Sequence, residues 1–181
     1  MARYHQTLYY EEAMKKSLAL DSSRLVVYIT QEAIDTLVIH QQIDQYSPEA
    51  AGVFIGEIYL EEHTIIIKKA ITTYEKNNAS RYHVNLDIKK LQNMIDTEWI
   101  ENGRTFLYLG EWHTHPELFP SPSLTDYLTF SGNYYRSTFE QNLILYAIIG
   151  TKQDICDSGI WIRTYNGFRF KKVHLTQVGQ Q

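Results

Sequence analysis

Residues 142–150, NLILYAIIG, run through seven apolar side chains from Leu143 to Ile149 with no polar alternation. A strand with one face in water would alternate, so this run reads as a strand central to its sheet. It falls far short of the roughly 20 residues that span a bilayer. Neighbours for it are supplied on both sides in sequence. RLVVYIT (24–30) is rich in β-branched residues, and AGVFIGEIYL (51–60) and HTIIIKKAITTYE (63–75) read as a hairpin across the charged turn LEEHT. RTFLYLGEW (104–112) is a further strand, and GIWIRTY (159–165) with FRFKKVHL (168–175) forms a hairpin around Asn166-Gly167.

Between these strands the period changes to that of a helix. Thr30 is placed to cap a helix whose Ile34, Leu37 and Val38 share a face and which is expected to run to about Tyr46. In LDIKKLQNMIDTEWIENG (86–103), Ile88, Leu91, Ile95 and Trp99 recur at helical spacing until Gly103. SLTDYLTFSGNYY (123–135) reads as a short third helix. The order β, α, ββ, α, β, α, β, ββ predicts an α/β (α+β) sandwich, a mixed β-sheet with flanking helices.

At 181 residues the chain is expected to hold one domain, residues 23–175, with an N-terminal extension over 1–22 and a tail over 176–181. Lysines and arginines are scattered and the net charge is −4, so no nucleic-acid partner is expected. The single cysteine, Cys156, rules out an internal disulfide framework and any zinc site built from several cysteines. The opening MARYHQTLYYEEAMKKSLAL is too charged for a secretory signal, and no membrane span is seen. A soluble cytoplasmic protein is the expectation.

The chemistry concentrates in GEWHTHPELFPSPSLTD (110–126). His113 and His115 are two positions apart, so on an extended strand both imidazoles point to one side. Pro116, Pro120 and Pro122 stiffen the loop that follows and bring Asp126 back towards the strand end, on the first turn of a helix. Two imidazoles and a carboxylate leave a tetrahedral zinc ion one open position, the pattern of a hydrolase. The same residues have a purely structural reading, since Ser123 and Asp126 are spaced as a capping box. The joint spacing H-x-H-x7-S-x2-D would arise by chance in roughly one chain in a thousand of this length.

This run resembles the JAMM motif of the MPN/JAB-domain metalloproteases at every position. The upstream part of that motif, a glutamate followed by small residues and an apolar strand, has its counterpart in Glu49-Ala-Ala-Gly52-Val-Phe-Ile-Gly56, with Ala51 departing from the glycine or cysteine of many members. The resemblance spans about residues 25 to 170 and implies an MPN/JAB (cytidine-deaminase-like) fold. It also implies Zn2+ held by His113, His115 and Asp126, with Glu49 as general base and Ser123 donating to the developing oxyanion. Glu57 and Glu111 compete for the base role, but neither is followed by the family's glycine pattern. His5, His40, His63, His83 and His174 have no metal-like spacing.

Members with this motif cleave the bond after the C-terminal glycine of a ubiquitin-like protein. The longer run YLGEWHTHPE with PSPSxxD is similar to a bacterial branch found in integrative elements and in antiphage operons with cyclic-oligonucleotide signalling. The implied substrate is a ubiquitin-like protein or a C-terminally conjugated protein, and the implied partners are ubiquitin-activating-like and ubiquitin-conjugating-like enzymes. ASRYHVN (79–85) is where a groove for an extended tail is expected. Two alternatives share the sequence features, a hydrolase of a small substrate or sulfur-carrier protein and a non-catalytic MPN scaffold.

Overall fold

The computed structural model describes residues 20–75, 79–139, 141–164 and 171–179. The elements in chain order are β1 (Val26–Ile29), α1 (Gln31–Ile39), β2 (Ala51–Tyr59), β3 (Thr64–Ile71), β4 (Ala79–Ser80), β5 (His83–Val84) and α2 (Ile88–Glu101). They continue with β6 (Leu107–Thr114), α3 (Leu124–Arg136), β7 (Leu143–Ile149), β8 (Gly159–Thr164), β9 (Lys171–Val173) and β10 (Leu175–Gln177). Among the described residues an eight-stranded sheet has the order β10-β1-β3-β2-β6-β7-β8-β9, and β4 pairs with β5 alone. The sheet is mixed, as expected: β1 runs parallel to β3 and β10, and β6 parallel to β7, while the other pairs are antiparallel.

β7 lies inside the sheet with all its side chains buried, which is why its sequence shows no alternation. Its two faces serve two cores. Leu143, Leu145, Ala147 and Ile149 join Trp112 and the α1 residues Ala33 and Leu37. Ile144, Tyr146 and Ile148 face the other way, onto Phe130 and Tyr134 of α3. Further along that second face, Leu91 of α2 packs on Val53, Ile55 and Ile71. Among the described residues, one α-helix thus covers one face and two cover the other.

Two helices differ from their sequence reading. α1 starts at the expected cap, Thr30 Oγ1 accepting from Ala33 N–H at 3.3 Å, but it stops at Ile39 instead of Tyr46. The reason is a pair of buried amides just past the helix. Gln41 Nε2 donates to the carbonyls of Gly150 and Lys152, both at 2.7 Å, and Gln42 Nε2 to those of Arg81 at 2.9 Å and Ser47 at 3.2 Å. These long-range bonds satisfy loop carbonyls that no helical period can anticipate. In α2 the inward face is Leu91, Met94 and Ile95, and Ile88 stands in solvent.

The ends of the sheet meet in one segment. Residues 171–173 pair with β8, residues 175–177 pair with β1, and only His174 lies between them. The two outermost strands of the sheet, β9 and β10, are thus consecutive in the chain. The Asn166-Gly167 turn lies outside the described residues, as do residues 1–19 of the expected extension. Leu20 is buried in the core, its N–H donating to Asn142 Oδ1 at 2.9 Å.

Candidate metal centre

The strand that carries the histidines is aimed by a bulge. The β2–β6 register runs Phe54 to Gly110 and then Ile55 to Tyr108, so Leu109 is skipped. Gly110 has φ +147°, and a Cβ there would run into the backbone of Leu145. Beyond it the strand alternates cleanly. Trp112 and Thr114 are buried on the α1 side, and Glu111 and His113 face α3. Thr114 N–H donates to the Ala50 carbonyl at 2.9 Å while Ala50 N–H donates to Thr114 Oγ1 at 3.0 Å, which clasps the start of β2 to the end of β6.

The loop after His115 is pinned to the end of β7. His115 N–H donates to the Ile149 carbonyl and Thr151 N–H to the Glu117 carbonyl, each at 2.9 Å, and Pro120 lies against Gly150. The chain then enters α3 through a full capping box. Asp126 N–H donates to Ser123 Oγ at 3.1 Å, and Ser123 N–H donates to Asp126 Oδ2 at 2.7 Å. The structural reading of this pair is therefore realised, and the cap itself fixes the carboxylate in front of the histidines.

His113, His115 and Asp126 come together. His113 Nε2 lies 2.9 Å from His115 Nε2 and 3.3 Å from Asp126 Oδ1, and His115 Nε2 lies 3.5 Å from Asp126 Oδ2. Ligands about 2.05 Å from a tetrahedral zinc ion would be spaced about 3.3 Å apart, so these separations fit the edges of such a site. Nitrogen and carboxylate oxygen are suitable donors for that ion. Each imidazole turns its other nitrogen outward. His113 Nδ1 meets Tyr146 Oη at 3.1 Å, and His115 Nδ1 has Glu117 Oε2 at 3.9 Å.

Glu49 enters from the start of β2. Ala51, two residues on, is the cross-strand partner of His113, so the Glu49 backbone adjoins the strand end that carries the histidines. The Glu49 N–H donates to the Ser80 carbonyl at 2.7 Å, which ties β4 to this corner. Burial raises the Glu49 carboxyl above its ordinary range, with His113 and His83 pulling it back and Asp126 pushing it up. Burial also lowers His115, helped by His113, and so favours the neutral imidazole that a metal needs. For Asp126 burial opposes ionisation, but hydrogen bonds from His113 and Ser123 prevail and hold it well below the usual carboxylate range.

The rival acids are elsewhere. Glu57 sits at the far end of β2, bound to Tyr59 Oη at 2.7 Å and Lys68 Nζ at 3.0 Å. Glu111 shares the face of His113 but is held by Asn133 Nδ2 at 3.0 Å and Tyr108 Oη at 3.3 Å, and burial raises its carboxyl. His40 packs on Tyr74 and Trp112, and His63 Nδ1 accepts from Asp21 N–H. His83, read as an ordinary residue, is exposed, with its Nε2 3.1 Å from Asn85 Oδ1. His5 lies outside the described residues. A cleft of about 350 Å³ lined by His40, Asp44, Tyr46, Pro48 and Tyr74 contains none of the three ligand-type residues.

The family described as prokaryotic homologs of the JAB domain matches residues 30–161. A protein of Vibrio cholerae serotype O1 named a CD-NTase/cGAS isopeptidase is 30% identical over 134 residues, which cover 73% of this chain and 81% of that protein. Proteins with the same name in Escherichia coli and Pseudomonas aeruginosa are 30% and 28% identical, covering 62% and 61% of this chain and 71% and 68% of their own lengths. A solution structure from Desulfitobacterium hafniense superposes with a TM-score of 0.56 at 18% identity, over 84% of this chain and 92% of that one, and so shares the fold.

Proposed function

This chain belongs to the family of prokaryotic homologs of the JAB domain, and from that premise we propose that it is a zinc-dependent isopeptidase. Its substrate is a ubiquitin-like protein, or a protein conjugated by ubiquitin-like transfer enzymes, and the cut falls after the C-terminal glycine. The observation that carries this reading is the meeting of His113, His115 and Asp126 at tetrahedral-edge distances.

Zinc, when bound by the two Nε2 atoms and the Asp126 carboxylate, supplies Lewis acidity for amide hydrolysis. Glu49 does the proton work: its carboxylate takes a proton from the attacking water and delivers it to the departing amine. Its raised pKa makes it a better acceptor than an ordinary surface carboxylate. Ser123 Oγ accepts from the α3 backbone, and its own hydroxyl proton serves the oxyanion as charge develops. Cap and catalytic roles thus use different parts of one hydroxyl.

The relatives' name, CD-NTase/cGAS isopeptidase, supports both the bond type and an antiphage setting in which a conjugated nucleotidyltransferase is released. The extended tail of such a conjugate lies along β4 and β5, which flank Glu49. The direct test incubates the full chain with a conjugate made by ubiquitin-activating-like and ubiquitin-conjugating-like enzymes, with and without chelator, and identifies products by mass spectrometry. A freed C-terminal carboxylate and a freed amine, both abolished by chelator, are expected. An intact conjugate in the presence of zinc-loaded protein would overturn the substrate and favour a small-molecule hydrolase.

A further inference from the structure

Behind His113 lies a hydroxyl that the chemistry above does not use. Tyr146 is 4% exposed, in the middle of β7, and its ring stacks on Phe130 of α3 with centroids 4.3 Å apart and planes 22° apart. In register it stands beside Glu111, on the His113 face of the sheet. Its Oη reaches His113 Nδ1 at 3.1 Å, while Nε2 of the same ring points at His115 and Asp126. The ring is therefore held at both ends, and only one end faces the metal centre.

A neutral imidazole carries one N–H, and the nitrogen that carries it has no lone pair to give to a metal. Which nitrogen that is depends on the partner of the other. Building on the metal reading above, we propose that Tyr146 is a positioning residue: its hydroxyl oxygen accepts the Nδ1 proton of His113, so that Nε2 presents its lone pair to the metal. The ring packing against Phe130 fixes the hydroxyl, and the hydroxyl fixes the imidazole. His115 is held more loosely, since the carboxylate nearest its Nδ1 is 3.9 Å away on a side chain 52% exposed.

The test compares the full chain with Tyr146→Phe, which keeps the stacked ring and removes only the hydroxyl. Zinc affinity is read by competition with a chromophoric chelator, and thermal unfolding of the metal-free proteins checks that the variant folds. Binding about 10 to 100-fold weaker is expected. Long-range proton–nitrogen spectra of the zinc-loaded wild type give an independent readout, needed if the variant does not fold. They should show His113 coordinated through Nε2 with a slowly exchanging Nδ1 proton. Affinity unchanged within about twofold, or a proton found on His113 Nε2, would overturn the inference and leave the metal site standing. A wild type that takes up no zinc would instead remove the metal reading, and this inference with it.

Discussion

Glu49 holds its charge against opposition. Burial and Asp126 raise its pKa, and His113 and His83 only partly relieve it. An acid whose folded pKa exceeds its unfolded one costs stability above the folded pKa and nothing below the unfolded one. Glu49→Gln should therefore raise the unfolding midpoint of the metal-free protein at about pH 7.5, and the gain should vanish near pH 3. The same variant should keep its zinc and lose about 10² to 10⁴-fold in turnover. Full turnover in that variant would move the base role to another group. His115 has the opposite lesson, because its lowered pKa keeps the ring neutral on acidification. Zinc loading followed by elemental analysis should persist as pH falls through 6.5, the ordinary imidazole value, and fail only below it. Loss of half the metal at or above that pH would contradict this. His113, His115 and Asp126 were readable in sequence because their spacing is short and their elements rigid. Glu49, far upstream, needed the family resemblance, and Tyr146 was invisible because a tyrosine in an apolar strand reads as core.

At the scale of elements, two local devices place the ligands. The Ser123 cap holds Asp126 and starts α3, so Ser123→Ala should cost about 0.5–2 kcal/mol in urea unfolding. It should also weaken zinc binding, because the Oγ that accepts from the Asp126 N–H is gone, and with it half of the cap that places Asp126. A variant with unchanged stability and metal affinity would show that the box does not position the site. The second device is Gly110, whose φ and close approach to β7 set the bulge before the histidines. Gly110→Ala should be destabilised by about 1–3 kcal/mol and should lose metal affinity, measured on the soluble fraction. Strands and helices were legible wherever the pattern was long and unbroken, as in the apolar run of β7 and the helical period of α2. The end of α1 was not, because Gln41 and Gln42 answer to carbonyls more than a hundred and about forty residues away. Ile88 was misassigned inward for a related reason, since period alone does not show which turn of a helix overhangs the sheet.

For the molecule as a whole, the order of elements sufficed to foresee a mixed sheet between helices. It did not reveal that residues 171–173 and 175–177 form the two outermost strands, a long-range pairing with no local signal. The corner where Glu49 is tied to β4 is, in our proposal, where an extended tail meets the site. The central claim is that this corner is built around one zinc ion. Anomalous diffraction at the zinc edge from a crystal of the full chain tests it most directly. A single peak about 2.0–2.2 Å from His113 Nε2, His115 Nε2 and an Asp126 carboxylate oxygen is the expected result. A zinc-soaked crystal with no peak there, or with the ion bound elsewhere while Asp126 merely caps α3, would contradict it.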